Sequence, residues 1–248
     1  MTEKYPPIVT GAERHAWHGA EVGDIERPSL ELIERFRAHD AAKVADAMGG
    51  YGIVDPRIKP IQAGMFVVGP AITVLTRPGD ALYVIRAADV AEPGDVIVIS
   101  GGGCADLAVI GDGISYYMQT SRGIAGVVAD AGVRDVKGIR ELGFPTFARS
   151  ATVRFGGAQG PGAINVPIAC GGVPVNPGDI VIGDDDGVVI VPREDAERVI
   201  EATDARLVGE TRRRQLVDEG ASLTEMRDIL PLMEMWRSGF VKDAQRAE

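Results

Sequence analysis

An α/β domain is the fold class this sequence predicts, and three observations carry the expectation. Val/Ile-rich runs such as "DVIVIS" and "IAGVVAD" alternate with segments of helical spacing, the pattern of parallel strands joined by crossover helices. Past residue 145 the texture turns to short β runs broken by Pro-Gly and Asp-Gly turns, and it returns to helix after Pro192. The 248 residues suit one such domain with a sizeable core and additions at its ends, although length alone would also allow two small domains.

Residues 1–28 form a polar lead rich in glycine and charge, expected to lie as an arm over the domain or a neighbour. Ser29 can cap a helix through "LELIERFRAHDAAKVADAMGG", with Leu32, Ile33 and Phe36 at helical spacing and Gly49-Gly50 as the stop. Strands are expected at "MFVVGPAITVLT" and, after the turn "EPGD", at "DVIVIS", with a helix in "GDALYVIRAADV" between them. Next come a helix in "ISYYMQTSRG", the strand "IAGVVAD" and a helix around "VKGIREL" that ends at Gly143-Phe144-Pro145. "PTFARSATV" and "INVPIACGGVPVNPGDIVIGDDDGVVIVP" read as β, and "VPREDAERVIEATDARLVGETRRRQLVDEG" as helix. The division is therefore an arm at 1–28, the main domain at 29–212 and a helical extension at 213–248. Leu230, Leu232, Met233, Met235, Trp236 and Phe240 give the extension a large apolar load, expected to pack on the body or on a partner subunit.

A formal charge of −10 argues against binding nucleic acid or an anionic membrane, which requires clustered Lys and Arg. The one dense basic run, Arg212-Arg213-Arg214, is flanked by acids and reads as a solvated helix face. Cys104 and Cys170 form neither a disulfide framework nor a zinc set. With no basic-then-apolar leader pattern and no apolar run near ~18 residues, a cytoplasmic protein is expected.

Several clusters invite a functional reading and have plainer ones. Gly101-Gly102-Gly103 is followed by neither a phosphate-loop lysine nor the dinucleotide spacing, so its expected role is room for a ligand at a strand end. Asp184-Asp185-Asp186 lacks the alternation of a calcium loop and runs into Asp-Gly, a hairpin turn. His15 and His18 lie in the polar lead without supporting carboxylates, and His39 is expected on the surface of the first helix.

Arg134-Asp135 stands apart. A helix N-terminus accommodates Asp, and Arg can pair with it, so a structural reading exists. Yet the pair follows a buried strand, where open α/β sheets place their sites. Upstream, "GDGIS" opens a helix whose first amides can bind an anion. One loop then supplies N–H donors and the other a guanidinium and a metal-binding carboxylate, a site for a small oxoacid on a divalent cation.

Gly113, twenty intervening residues, then Arg134-Asp135 resembles the signature of the RraA-like family, which includes class II pyruvate aldolases acting on 4-hydroxy-4-methyl-2-oxoglutarate and 4-carboxy-4-hydroxy-2-oxoadipate. "VADAMGG", "GPAITV", "PGDVIVIS" and "RGIAGVVADAGVRDVKGIRELGFPTFARS" are similar to the family too, and the likeness spans about residues 40–212. It implies a swivelling-type β/β/α fold, a central sheet with crossover helices followed by a β-rich half and C-terminal helices. The assembly implied is a homotrimer or a hexamer built as a dimer of trimers. By the same resemblance Asp135 would bind Mg2+ or Mn2+. Arg134 with Asp112, Gly113, Ile114 and Ser115 would bind substrate, and Glu210 would match a glutamate supplied by a neighbouring subunit. The loop Asp112-Gly113-Ile114-Ser115 departs from the Gly-Glu-Leu-Leu-like sequence common in the family, which bears on the substrate.

The implied reaction is retro-aldol cleavage of a 4-hydroxy-2-oxo diacid to pyruvate and a second oxoacid, with oxaloacetate decarboxylation as a side activity because both pass through the pyruvate enolate. Three alternatives accompany it. One is a related lyase or decarboxylase on another 2-oxoacid. Another is an RraA-type regulator that binds ribonuclease E. A third, methyl transfer to a menaquinone precursor, lacks the acidic residue expected after the strand that follows glycines 101–103. The family's regulators typically lack the metal-binding Asp, so Asp135 favours an enzyme.

Overall fold

The structure, a computed structural model, describes residues 19, 21, 24–227 and 229–244. Most of the lead, with His15 and His18, lies outside the described residues, as does the side chain of Phe240. The chain divides into two compact units, Met1–Glu201 and Ala202–Glu248.

The first unit is built on a mixed sheet. Its strands are β1 (Lys59–Pro60), β2 (Val67–Thr76), β3 (Val96–Ala108), β4 (Gly126–Val133), β5 (Thr146–Ala151), β6 (Gly162–Ile164), β9 (Ile180–Asp184) and β10 (Gly187–Val191). They lie in the order β1-β5-β4-β3-β2-β9-β10, with β6 on β2; β7 (Ile168–Cys170) and β8 (Val173–Val175) make a separate hairpin. Strands β2 to β5 are mutually parallel. The crossovers between them run through helices at Leu82–Val90, Asp112–Tyr116 and Val136–Leu142, as the alternation in the sequence predicts. The fold is the expected α/β type.

Every residue of β4 is buried, and the two-residue period of a strand sends alternate side chains to different cores. Val127, Ala129, Ala131 and Val133 join Ile97, Ile99, Ile139 and Phe144 under the crossover helices. Val128 faces the opposite side with Val96, Val98, Phe147 and Cys170. A third cluster seats Phe36, Val44 and Ile200 on β9 and β10. The triple acid forms the β9–β10 hairpin: Asp184 accepts N–H bonds from Asp186 (2.9 Å) and Ala41 (2.8 Å), and Asp185 from Gly64 (2.7 Å).

Some local expectations need correction. The first helix is two helices, Leu30–Arg37 capped by Ser29 and Ala41–Ala47 capped by Asp40, whose carboxylate accepts the Lys43 N–H at 2.9 Å. Asp is a strong N-cap, and it restarts the helix there. His39 sits in the break and is buried, not on the surface. The helix around "ISYYMQTSRG" begins at Asp112 and widens to a π turn over Tyr117–Ser121. β3 does not stop at "DVIVIS" but continues through the glycine cluster with its register to β4 shifted. Gly101 makes room for protein, since a Cβ on it would lie 2.8 Å from that of Ala131, whereas Gly102 and Gly103 are exposed and take φ of 71° and 72°.

Helix Ala196–Asp218 runs without a break past residue 212. The second unit holds its C-terminal part and helices at Leu223–Met226 and Leu230–Ala244. On the last of these Leu230, Leu232, Met233, Met235 and Trp236 are exposed in the single chain.

Candidate active site

The carboxyl ends of β3 and β4 bring the two predicted loops together. The Arg134 N–H donates to the Ile110 carbonyl (3.0 Å) and the Val109 N–H to that of Gly132 (3.0 Å), so the segment leading into Asp112 lies beside Arg134-Asp135. Gly111 makes the approach possible: a Cβ there would stand 2.4 Å from Asp135 Oδ2 and 3.3 Å from Arg134 Cγ and Nε. Gly138, one turn into the following helix, does the same for Asp112, whose Oδ2 would lie 2.6 Å from a Cβ on Gly138.

Asp135 occupies the N-cap position of helix Val136–Leu142, yet its side chain makes no capping bond. Its φ of 54° and ψ of 34° place it in the left-handed region, which costs a non-glycine residue roughly 1–2 kcal/mol. The carboxylate turns instead to Arg134, Oδ2 to Nε at 3.2 Å, and both side chains stay about two-fifths exposed. The side-chain cap is missing, while the Arg–Asp pairing that the structural reading expects is present. Strain is held while the acid points to where a ligand can reach it.

The other expected residues separate by role. Asp112 and Gly113 are exposed, and nothing lies within 4 Å of a Cβ on Gly113. The first amides of this helix have no acceptor within it. Ile114 packs on the main core. Ser115 is fully buried, its hydroxyl and its N–H both directed to the Gly111 carbonyl (3.0 and 3.1 Å), so its side chain secures the loop. Glu210 belongs to the second unit, where it borders a cleft with Arg213, Arg214, Val217, Leu223, Met226 and Arg227. Lys137 is turned out to solvent and paired with Glu141 at 3.0 Å.

Phe155 is the neighbour that sequence reasoning missed. Its ring lies under the Arg134 guanidinium, 4.8 Å from centroid to Cζ. The only hint in the sequence is an aromatic residue shortly after a strand end and before Gly156-Gly157.

A second charged group lies on the opposite face of β4. Arg149 pairs through Nε with buried Asp130 and through Nη1 with Asp55 (3.0 Å), while the Gly171 N–H donates to Asp130 at 3.0 Å. The hydrogen bonds from Arg57, with help from Arg149, hold the Asp55 carboxyl well below the usual carboxylate range. Burial, reinforced by the charge of Asp130, pushes the Cys170 thiol up to about 12. Paired throughout, this group joins β4 and β5 to the β7–β8 hairpin, and its thiol is not a nucleophile at neutral pH.

A hard divalent cation that keeps most of its water is the kind of ion Asp135 could hold. Mg2+ is commonly held by one or two carboxylates. Asp135 offers one, on a side chain that stays about two-fifths exposed. Among those residues no group of three or more His, Cys, Asp or Glu gathers into a closed metal cage. Nor is any helix there long and apolar enough to cross a membrane.

Comparison with known proteins places this chain among relatives. Residues 41–190 match the RraA-like family, described as Aldolase/RraA. A protein of Halalkalibacterium halodurans named "Putative 4-hydroxy-4-methyl-2-oxoglutarate aldolase" is 37% identical over 195 residues, 79% of this chain and 92% of its own length. The crystal structure of an uncharacterized protein from Pseudomonas syringae pv. tomato superposes with a TM-score of 0.73 at 28% identity, covering 82% of this chain and 96% of the other. Streptomyces coelicolor RraAS2, described as an unusual member of the RNase ES inhibitor RraA protein family, gives a TM-score of 0.68 at 30% identity, covering 77% and 99%.

Proposed function

Because the chain belongs to the RraA-like (Aldolase/RraA) family, we propose that it is a class II pyruvate aldolase cleaving a 4-hydroxy-2-oxo diacid of the 4-hydroxy-4-methyl-2-oxoglutarate type. The observation that carries this reading is the Asp135 carboxylate, released from helix capping and set against Arg134 at an exposed strand end.

Asp135 would hold the cation, Mg2+ or Mn2+, which when bound supplies Lewis acidity to the carboxylate and keto oxygens of a 2-oxoacid. Arg134 provides a fixed positive charge for the keto oxygen as it becomes an enolate oxygen. The first amides of the loop at Asp112 and Gly113 suit the carboxylate of the substrate. Glu210 of a neighbouring subunit assists removal of the proton from the 4-hydroxyl. The C3–C4 bond then breaks with its electron pair left on C3, C4 becomes a carbonyl, and protonation of C3 gives pyruvate. Loss of CO2 from oxaloacetate yields the same enolate, so decarboxylation accompanies cleavage. The reading includes what the family resemblance implies, a homotrimer or a hexamer of two trimers, and a cytoplasmic location. The exposed Leu230, Leu232, Met233, Met235 and Trp236 support assembly, since each large side chain fully buried contributes about 1.5–3 kcal/mol.

Pyruvate release from a panel of 4-hydroxy-2-oxo diacids, with the metal supplied and then chelated, tests the reading and selects the substrate. A second reading, a regulator of a ribonuclease, draws on the likeness to Streptomyces coelicolor RraAS2. Capture of ribonuclease E by the immobilised protein, together with no pyruvate from any diacid, would favour it.

A further inference from the structure

Phe155 has no place in the cores of this fold. It belongs to none of the buried clusters, and the residue is 42% exposed. The backbone around it is nonetheless firmly placed. Leaving β5, Thr152 donates its N–H to the Val133 carbonyl (2.9 Å) and its hydroxyl to that of Asp106 (3.1 Å). The Arg154 carbonyl accepts the Ala108 N–H at 2.8 Å, and the Gly157 carbonyl accepts that of Ala81 at 2.9 Å. Between these anchors Gly156 presses on Gly79 so closely that a Cβ on it would lie 2.7 Å from the Gly79 oxygen. A strand end, a neighbouring strand and a glycine contact thus set the position of one half-exposed ring. What that ring meets is the guanidinium of Arg134.

The guanidinium is then held on two sides. Its Cζ lies over the Phe155 ring, 4.8 Å from the centroid, and its Nε is ion-paired with Asp135 Oδ2 at 3.2 Å. Its two Nη nitrogens make no hydrogen bond among the described residues, and they form the remaining donor edge. We infer that Phe155 is a positioning residue that acts through Arg134, fixing the plane of the guanidinium so that this Nη edge is presented to the oxyanion of a planar 2-oxoacid. The ring's negative face attracts the cation and excludes water from one side of it, and the fork reaches the transition state already oriented. Ground-state binding depends less on this, because charge on the enolate oxygen is complete only as the C–C bond breaks. The inference deepens the aldolase reading and, for its kinetic part, rests on it.

The test compares Phe155→Leu, which keeps apolar volume without a π face, with Phe155→Tyr, which keeps the face. Three readouts are taken: kcat and KM, affinity for oxalate as a planar dianion shaped like the pyruvate enolate, and the 1H–15N signal of the Arg134 Nε–H, assigned by its loss in Arg134→Lys. In Phe155→Leu the signal should lose its ring-current shift, and kcat should fall by roughly 3- to 30-fold, the range of a cation–π contact. KM should move much less, and Phe155→Tyr should restore both. In an Arg134→Lys background Phe155→Leu should cost little more, whereas a merely structural role would cost as much there as in the wild type. Wild-type kcat in Phe155→Leu, or an unchanged Nε–H shift, overturns the inference and leaves the aldolase reading standing. If the wild-type protein cleaves no diacid, that reading fails instead. Oxalate affinity then decides: weakened in Phe155→Leu it upholds the positioning role, unchanged it overturns it.

Discussion

The carboxylate of Asp135 occupies the space that a side chain on Gly111 would fill, with 2.4 Å between an ideal Cβ and Oδ2. The backbone of Gly111 is extended, φ −138°, so alanine there would cause no backbone strain. What must yield is the Asp135 side chain, and with it the pairing to Arg134. Gly111→Ala should therefore fold with a stability close to that of the wild type and lose most of its aldolase activity. Thermal unfolding and pyruvate release, measured on the same preparation, separate the two effects. Full activity in Gly111→Ala would mean that the position of Asp135 is not critical.

Arg134→Lys keeps a positive charge and loses the planar fork. Its kcat should fall by roughly 100-fold or more, the scale for removing one oxyanion donor. Oxaloacetate decarboxylation should fall in step, since both reactions form one enolate. Steady-state kinetics with each substrate check this, and a variant that decarboxylates normally would contradict the shared intermediate.

The parts of this site that follow chain order were legible in the sequence. Strand β4 is a Val/Ala run, and Gly113 with Arg134-Asp135 marks both loops on either side of it. The break at His39 was missed because apolar spacing continues across it, although Asp40 carries a cap signal. Residues that act by proximity left no such trace. Gly111 and Gly138 matter for the volume they do not fill, and Phe155 for an arginine 21 positions away. Those relations exist only once β3, β4 and β5 lie side by side.

Buried Asp80 fastens the segment that follows Phe155. It accepts N–H bonds from Leu82 (3.0 Å), Gln159 (2.9 Å) and Gly160 (2.9 Å), and pairs with Arg77 at 3.3 Å. Burial alone would raise its pKa, but these donors together bring it below the ordinary value. A carboxylate depressed on folding stabilises the native state above its unfolded pKa of about 3.9, and that contribution is lost as pH falls through the lower folded value. Asp80→Asn should cost about 1–3 kcal/mol near neutral pH, with a smaller difference from wild type in acid. Urea unfolding across that pH range measures it. A difference that does not vary with pH would show that the charge of Asp80 is not what fastens the loop.

If Glu210 works across a subunit interface, two inactive variants can complement each other. Mixing Glu210→Ala with Asp135→Ala subunits should regenerate some sites intact in both residues and recover part of the activity. Mixed oligomers as inactive as either parent, with subunit exchange confirmed, would place Glu210 in its own subunit's site or outside the mechanism.

The most direct measurement is pyruvate formation from 4-hydroxy-4-methyl-2-oxoglutarate by the wild type and by Asp135→Asn, each titrated with Mg2+ or Mn2+ after chelation. Asn tolerates the left-handed backbone at this position and keeps the shape of the side chain while removing its charge. The wild type should fall silent in chelator and recover as metal is added, and Asp135→Asn should stay folded and inactive at every metal concentration. Full turnover by the metal-free wild type, or wild-type activity in Asp135→Asn, would contradict a metal-dependent aldolase centred on Asp135.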